Sequence, residues 1–291
     1  MTASELRRKV FELELRARET LGGVTSGAYR SAFRGKGVEF EEIREYVPGD
    51  DVRSIDWNVT ARLGRPHLKR FSEEREQTLM FLVDASRSTL FGSGDTRKID
   101  AIVELFAVLA FAAITNNDAV GLILFTGSIE FYVPPAKGIA HVQRMIRDLL
   151  AFEPRGTATN LAGALEFFLQ IRRKRSFAFL ISDYLANNFR SALQACAKRH
   201  DLVAVSVFDA REEALPDCGL IEVEDPESGT HCFLDTSDLR VRRAFEDAAR
   251  ERHQQLANLL RSAAVDHLRV EAGSNFIPQL ARFLSAHAKT A

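Results

Sequence analysis

Four apolar runs constrain this chain more than any other feature: Thr78–Ser86 (TLMFLVDAS), Ala119–Phe125 (AVGLILF), Ser176–Ser182 (SFAFLIS) and Leu202–Phe208 (LVAVSVF). A strand that is apolar at successive positions buries both of its faces, which happens inside parallel sheets covered on both sides. Between the runs lie helical patterns, over Ile99–Thr115, Ala140–Phe152, Asn160–Arg173 and Phe189–Lys198. Strands alternating with helices, joined by right-handed crossovers, predict an α/β fold. Its core is a doubly wound, mostly parallel sheet with helices on both faces.

The remaining segments attach to that core. Ser128–Val133 predicts a short strand that Pro134 and Pro135 end, because proline brings no N–H to a ladder. Residues 219–234 break the rhythm, with strand character on both sides of a Pro-Glu-Ser-Gly turn, and predict a β-hairpin. A helix over 238–263, a strand over 267–270 and a last helix over 276–288 follow. Upstream, Leu6, Val10, Leu13 and Ala17 recur at helical spacing, so residues 4–20 predict an amphipathic helix that Gly22 and Gly23 end. The stretch from Tyr29 to Glu76 is rich in charge and glycine, with a turn signal at Pro48-Gly49-Asp50-Asp51, and predicts short strands and irregular loops. The division that results is 1–77, an N-terminal helix with a small irregular β extension, and 78–291, the α/β domain with a hairpin insertion at 219–234.

Composition narrows the function. Lys and Arg number 39 against 40 Asp and Glu, a formal net charge of −1, which lacks the basic excess of an electrostatic nucleic-acid binder. The Arg172, Arg173, Lys174, Arg175 cluster reads as a solvated helix end. The three cysteines, Cys196, Cys218 and Cys232, have neither zinc-site spacing nor an even count for a disulfide framework, and fit a reducing compartment. Residues 1–10 show no signal-peptide core, and the apolar stretch Ala101–Thr115 carries Glu104 and falls short of the roughly 20 residues that span a bilayer. The expectation is a soluble, cytoplasmic protein without membrane insertion. On oligomeric state the sequence is silent.

Ligands of open α/β sheets bind beyond the carboxyl ends of the strands. There the sequence places Asp84, Ser86 and Ser88, as D-x-S-x-S after the first apolar run, and Asp183 after the third; Thr159 precedes the helix leading into that third run. Two carboxylates, two serines and a threonine are all oxygen donors. Hard cations such as Mg²⁺ or Mn²⁺ take oxygen ligands, and alternate residues of an extended loop project to the same side. The competing reading makes Asp84 and the serines caps of the next helix, Thr159 a helix N-cap and Asp183 a turn residue.

Together DASRS, Thr159 and Asp183 resemble the metal-ion-dependent adhesion site of von Willebrand factor A domains. That resemblance implies hydroxyl ligands at Ser86, Ser88 and Thr159, with Asp84 and Asp183 acting directly or through water. Longer segments, FRGKGVEFEEIREYVPGDDVRSIDWNVTARLGRPHLKRFSEER, GTATNLAGALEF, FLISDYL, KRHDLVAVSVFDAREEALPDCGLIEVEDPESG and LDTSDLRVRRAF, resemble the bacterial domain-of-unknown-function 58 (DUF58) family over nearly the whole chain. Members of that family occur beside MoxR-class AAA+ ATPases. The resemblance therefore implies such a partner, and a role in chaperone-like maturation or metal insertion on a client bearing an acidic residue. One departure, Ala210 where relatives often carry proline, lies outside the site.

Other chemistry is poorly supported. Gly92–Lys98 (GSGDTRK) lacks phosphate-loop spacing and reads as a polar loop; no two histidines have H-x-x-x-H spacing, and there is no G-x-S-x-G elbow. A metal-dependent hydrolase using the same carboxylates is the alternative class. It needs a general base, which is not evident, and a cationic clamp, for which Arg87 is the obvious residue. Asp50, Asp51 and Asp56 are either ligands or catalytic carboxylates, or partners of Arg53 in a local ion-pair and capping network. In that second case Trp57, the single tryptophan, packs against the α/β domain.

Overall fold

From Leu79 to Asp84 every residue is sealed from solvent, and in the computed structural model these residues form the central strand, β3 (Thr78–Asp84). The structure describes residues 3–20, 29, 32, 39–48, 50–72, 77–186, 188–224 and 229–290. Gly22, Gly23 and the Pro-Glu-Ser turn residues of the hairpin lie outside the described residues. The chain divides into two units, Met1–Ala32 with Thr78–Ala291, and Phe33–Gln77.

In the larger unit, β3 pairs in parallel with β4 (Ala119–Phe125) on one side and β6 (Phe177–Ser182) on the other. Beyond β6 lie β7 (Asp201–Phe208) and β10 (Asp266–Glu271), both parallel to it. Beyond β4 lies β5 (Ile129–Ala136), the antiparallel edge. The order β10-β7-β6-β3-β4-β5 is the doubly wound, mostly parallel sheet that the four apolar runs predict. The chain runs outward from β3 to β5, then returns to β6 on β3's other flank. The switch point is therefore the crevice between the loops that follow β3 and β6.

Side-chain parity divides β3 between two cores. Phe81 meets Phe106 edge-on at 4.8 Å, on the face covered by α3 (Lys98–Thr115). Met80 and Leu82 face the opposite core, with Leu165 and Phe168 of α5 (Leu161–Ile171) and Leu193 of α6 (Arg190–Arg199). Burying each such large side chain contributes about 1.5–3 kcal/mol. The amphipathic α4 (Ile139–Leu150) buries Val142, Met145, Ile146 and Leu149.

Helix α3 is largely apolar on both sides, Asp100 and Glu104 apart, because both sides are covered. One faces the sheet, and on the other packs α1 (Ala3–Thr20), which also reaches α4. Lys9 Nζ sits 3.2 Å from Asp100, Arg16 lies 3.6 Å from Glu104, and the buried Tyr29 hydroxyl donates to Asp118 at 3.1 Å. The N-terminal helix thus belongs with the α/β unit. The division at 77/78 marks where strand–helix alternation begins, but it assigned residues 1–32 to the wrong body.

One strand end also departs from expectation. Pro134 and Pro135 do not end β5 at Val133: they lie inside it, where the register with β4 slips between Val120 and Leu122. An edge strand at a bulge tolerates proline, because its outer side has no ladder bond to make. The bulge accompanies Gly121, where a Cβ would lie 3.1 Å from Pro135 N and 2.6 Å from Met80 Sδ.

The predicted hairpin is present as β8 (Leu220–Glu224) and β9 (His231–Asp235), paired only with each other. It leads into the long α7 (Leu239–Ser262), which Asp238 caps by accepting from Arg240 N. The final helix is α8 (Ile277–Thr290).

The small unit pairs β1 (Glu39–Glu45) antiparallel with β2 (His67–Ser72). Between them a 3₁₀ turn at Val52–Ser54 precedes a short helix, α2 (Trp57–Leu63), where only strands and loops were expected. The reason is local. Asp56 Oδ1 accepts from Asn58 N at 2.9 Å and Val59 N at 3.3 Å, and Gly64 takes the left-handed conformation that ends the helix.

A candidate metal centre at the sheet switch point

Asp84 is the last residue of β3 and is wholly buried. Its Oδ1 accepts from Ser86 N at 2.9 Å, and its Oδ2 accepts from Ser182 Oγ at 2.6 Å. That second bond crosses the switch point, since Val83 and Ile181 are the paired residues just before it. The D-x-S-x-S loop is extended through Ser86, then turns into the short 3₁₀ segment Arg87–Leu90. Ser86 and Ser88 are buried, and their hydroxyl oxygens lie 3.0 Å apart. In an octahedral Mg²⁺ shell with bonds of about 2.0–2.1 Å, adjacent ligand oxygens stand about 2.9 Å apart. The two hydroxyls are hydrogen-bonded to each other at a separation that is also that of two neighbouring ligands.

Asp183 follows β6 directly, and Tyr184 after it adopts a left-handed φ of 59°, a conformation uncommon for a bulky side chain. The turn is held from both ends. Tyr184 N donates to Ser182 Oγ at 3.0 Å, and the buried Tyr184 hydroxyl donates to Leu180 O at 2.8 Å. Thr159 is brought to the same sheet edge by Asn160 N, which donates to Thr126 O just past β4 at 2.9 Å. Thr159 Oγ1 is buried and has no hydrogen-bond partner among the described residues. A buried hydroxyl without a partner is costly, and a ligand supplied from outside relieves that cost. Asn160, not Thr159, caps α5, accepting from Gly163 N at 2.9 Å. This removes the capping explanation for Thr159, while Asp84 does receive the Ser86 N–H that a cap would.

The electrostatics hold an element that the sequence reading missed. Lys98, assigned to a polar loop, is the first residue of α3 and has 0 % exposure. Its Nζ lies 2.9 Å from Asp183 Oδ2 and 2.5 Å from Glu212 Oε1. Burial pulls its pKa down, but the two carboxylates outweigh burial and hold it above the ordinary lysine value. Asp84 is pushed up to about 6, first by burial and then by Asp183, with the Ser182 and Ser86 bonds opposing. Two carboxylates at one sheet edge, one of them short of compensating charge, suit a cation. Arg87, taken as the obvious cation, instead points to Glu224 at 3.4 Å.

The loop after β7 also belongs to this edge. Asp209 accepts from Ser93 N at 2.8 Å and Ser93 Oγ at 2.6 Å, and Glu212 Oε2 accepts from Asp209 N at 3.0 Å. Lys98, Ser182, Asp209 and Glu212 are thus neighbours of the candidate site outside the predicted set. A lysine at the head of a largely apolar helix was the available signal for Lys98. Among the described residues no group of three or more His, Cys, Asp and Glu side chains is arranged around a metal position. Any ion here would rest on hydroxyls as much as on carboxylates. Asp84, Ser86, Ser88 and Thr159 fit that role, and Asp183 fits it while shared with Lys98.

The aspartates of the small unit are engaged structurally. Asp50 forms a two-pronged ion pair with Arg44, at 2.7 and 2.9 Å, which holds its carboxyl below the usual range; Asp51 accepts from Arg53 N at 2.9 Å, and Asp56 caps α2. The ion-pair partner is Arg44, not Arg53. Trp57, the first residue of α2, is 69 % exposed. Among the described residues all three cysteines are free thiols, and no helix is long and apolar enough to cross a membrane.

Residues 42–255 match the sequence profile of a family described as "Protein of unknown function DUF58". An uncharacterized protein of Mycobacterium tuberculosis strain H37Rv is 32 % identical over 282 residues, covering 96 % of this chain and 89 % of its own length. The uncharacterized protein YeaD of Bacillus subtilis is 27 % identical over 107 residues, 37 % of this chain and 25 % of its own. Among solved structures, the conserved hypothetical protein BatB from Bacteroides thetaiotaomicron aligns over 73 % of this chain and 99 % of its own, at 15 % identity and a TM-score of 0.48. The SpRpn10 VWA domain aligns over 75 % of this chain and 96 % of its own, at 12 % identity and a TM-score of 0.40.

Proposed function

Because this chain belongs to the DUF58 family and sets Asp84, Ser86 and Ser88 at the switch point of a doubly wound sheet, we propose that it is a non-catalytic, metal-dependent protein-interaction module. In this reading Asp84, Ser86, Ser88, Thr159 and Asp183 hold Mg²⁺ or Mn²⁺. The bound ion offers an open coordination position to a carboxylate of a partner. The observation that carries the reading is the Ser86–Ser88 hydroxyl pair, 3.0 Å apart beside a buried carboxylate. By the family resemblance, the partners are a MoxR-class AAA+ ATPase and an acidic client, met in the cytoplasm during chaperone-like assembly or maturation.

The hydrolase reading has less support. Lys98 is committed to two carboxylates and Arg87 is turned to Glu224, so neither is a free clamp for a phosphate. Asp84, the buried carboxylate, already accepts two hydrogen bonds.

The test is thermal and urea unfolding of the full chain with Mg²⁺, Mn²⁺ or EDTA, alongside Ser86→Ala, Ser88→Ala and Asp183→Asn. A native-state ligand at a hundredfold excess over Kd stabilises by about 2.7 kcal/mol. Stabilisation in the wild type that the variants lose supports the site. Equal stabilities with metal and with EDTA count against it.

A further inference from the structure

The candidate metal centre opens into a cleft of about 1610 Å³. Ser88 and Asp183 line one end, and β8 of the hairpin and one side of α7 form the far wall. Small-molecule pockets run to roughly 300–1,000 Å³, so this cleft is of a size for a length of polypeptide. Its walls are apolar where a solvated groove would be polar. Leu90, Phe91 and Leu185 are exposed large hydrophobic residues, and Ile221, Phe245 and Leu256 present further apolar surface. The far wall is weakly supported by its own packing: the hairpin pairs only with itself, and of the 24 residues of α7 only Ala249 and Leu260 are buried.

The charges of the cleft are asymmetric. Of its five acidic members, four are engaged by fixed cations, Asp183 and Glu212 by Lys98, Glu213 by Arg269 and Glu224 by Arg87, while Glu222 lies 3.2 Å from His231. Three of its arginines, Arg190, Arg211 and Arg252, are exposed and have no ion-pair partner among the described residues. An apolar trough with unpaired guanidinium groups is complementary to a segment that carries carboxylates between apolar residues.

We propose that this cleft is the docking groove for an acidic, leucine-type segment of another protein, which lies along α7 and β8 and brings one carboxylate to the candidate metal centre where Ser88 and Asp183 line the cleft. The proposal rests on the metal-dependent reading for that last contact and on the cleft's own surface for the rest. Arg190, Arg211 and Arg252 steer and hold the acidic positions, while Leu90, Phe91 and Leu185 take the apolar ones.

The test is fluorescence anisotropy of the full chain with a fluorescein-labelled peptide of Leu-Glu-Glu-Leu repeats and with its Leu-Lys-Lys-Leu counterpart, each in Mg²⁺ and in EDTA. The acidic peptide binds at least tenfold more tightly than the basic one. The R190E/R211E/R252E variant, its fold checked by circular dichroism, loses that preference, and Leu185→Asp weakens binding of the acidic peptide. Arginine-dependent binding that persists unchanged in EDTA supports the groove and counts against the metal-dependent reading. Metal-dependent binding indifferent to the three arginines and to Leu185 overturns the groove and leaves the metal reading standing. No preference between the peptides also overturns the groove.

Discussion

Lys98 Nζ lies 2.9 Å from Asp183 Oδ2 with both side chains out of solvent, so a carboxylate of the candidate metal centre already faces a cation fixed in the chain. The same ammonium touches Glu212 Oε1 at 2.5 Å, and it sits at the positive end of the α3 dipole, where a lysine is poorly placed without such partners. In the proposed metal-bound state, the lysine and a divalent ion would share Asp183. This gives the first prediction.

Replacing Lys98 by methionine leaves Asp183 uncompensated and destabilises the metal-free protein by about 3 kcal/mol, as removal of one member of a buried ion pair does. A divalent ion then becomes the compensating charge, so K98M gains more from Mn²⁺ than the wild type gains. Urea unfolding of both proteins in EDTA and in Mn²⁺ measures the difference. An equal gain in both would show that Lys98 and the ion do not share Asp183.

Thr159→Val should separate the two roles of a hydroxyl. Thr159 Oγ1 is buried without a partner, so in EDTA its removal is neutral or stabilising by up to about 1 kcal/mol. With Mg²⁺ the same change removes a ligand and reduces the stabilisation. A variant markedly less stable than the wild type in EDTA would mean that the hydroxyl has a protein partner, and would sink the assignment.

His200 is buried against the Phe168 ring, 4.4 Å between centroids, and neither ring nitrogen has a hydrogen-bond partner among the described residues. Burial, then Arg199 and Arg172, lower its pKa to about 4, and burial with Arg269 does the same at His267. Both values lie below the unfolded value of about 6.5, so the unfolded chain takes up these protons first. Stability is constant above the unfolded value and falls as pH drops from about 6.5 to about 4. The expected loss is about 2–3 kcal/mol at each site. His200→Leu should remove its share of that slope. Unfolding at pH 7, 5.5 and 4.5 checks it, and parallel pH profiles for variant and wild type would rule the assignment out.

In the small unit, α2 buries none of its residues, so its cap decides whether it forms. Asp56→Ala removes the acceptor of the Asn58 and Val59 amides and costs about 1 kcal/mol. Amide hydrogen exchange over 57–63 should accelerate several-fold, while β3 and β6 stay as protected as in the wild type. Unchanged exchange in α2 would show that something other than Asp56 holds it.

The sheet was legible because each of its buried strands is apolar at successive positions, as Leu79–Val83 and Phe177–Ile181 are. The placement of Asp84, Ser86, Ser88 and Asp183 followed from strand ends alone. What escaped was set by contacts distant in sequence. Lys98 reads as a loop residue until Asp183 and Glu212, which lie 85 and 114 residues away, are folded against it. Arg44, which takes the role given to Arg53, is a local exception: the turn after β1 brings Asp50 back to it, six residues on, with Val47 N also donating to Asp50. Pro134 and Pro135 mislead a strand rule that is sound for central strands and relaxed at an edge.

Those two prolines have a consequence for the protein in a crowded solution. An open sheet invites a stray strand, from another copy or from a misfolding neighbour, to add itself along an exposed border. On the β5 side such a visitor meets proline, which has no amide proton to offer, at a place where the register already slips. The prolines make that border a poorer template for such a strand, and the sheet ends at its sixth strand.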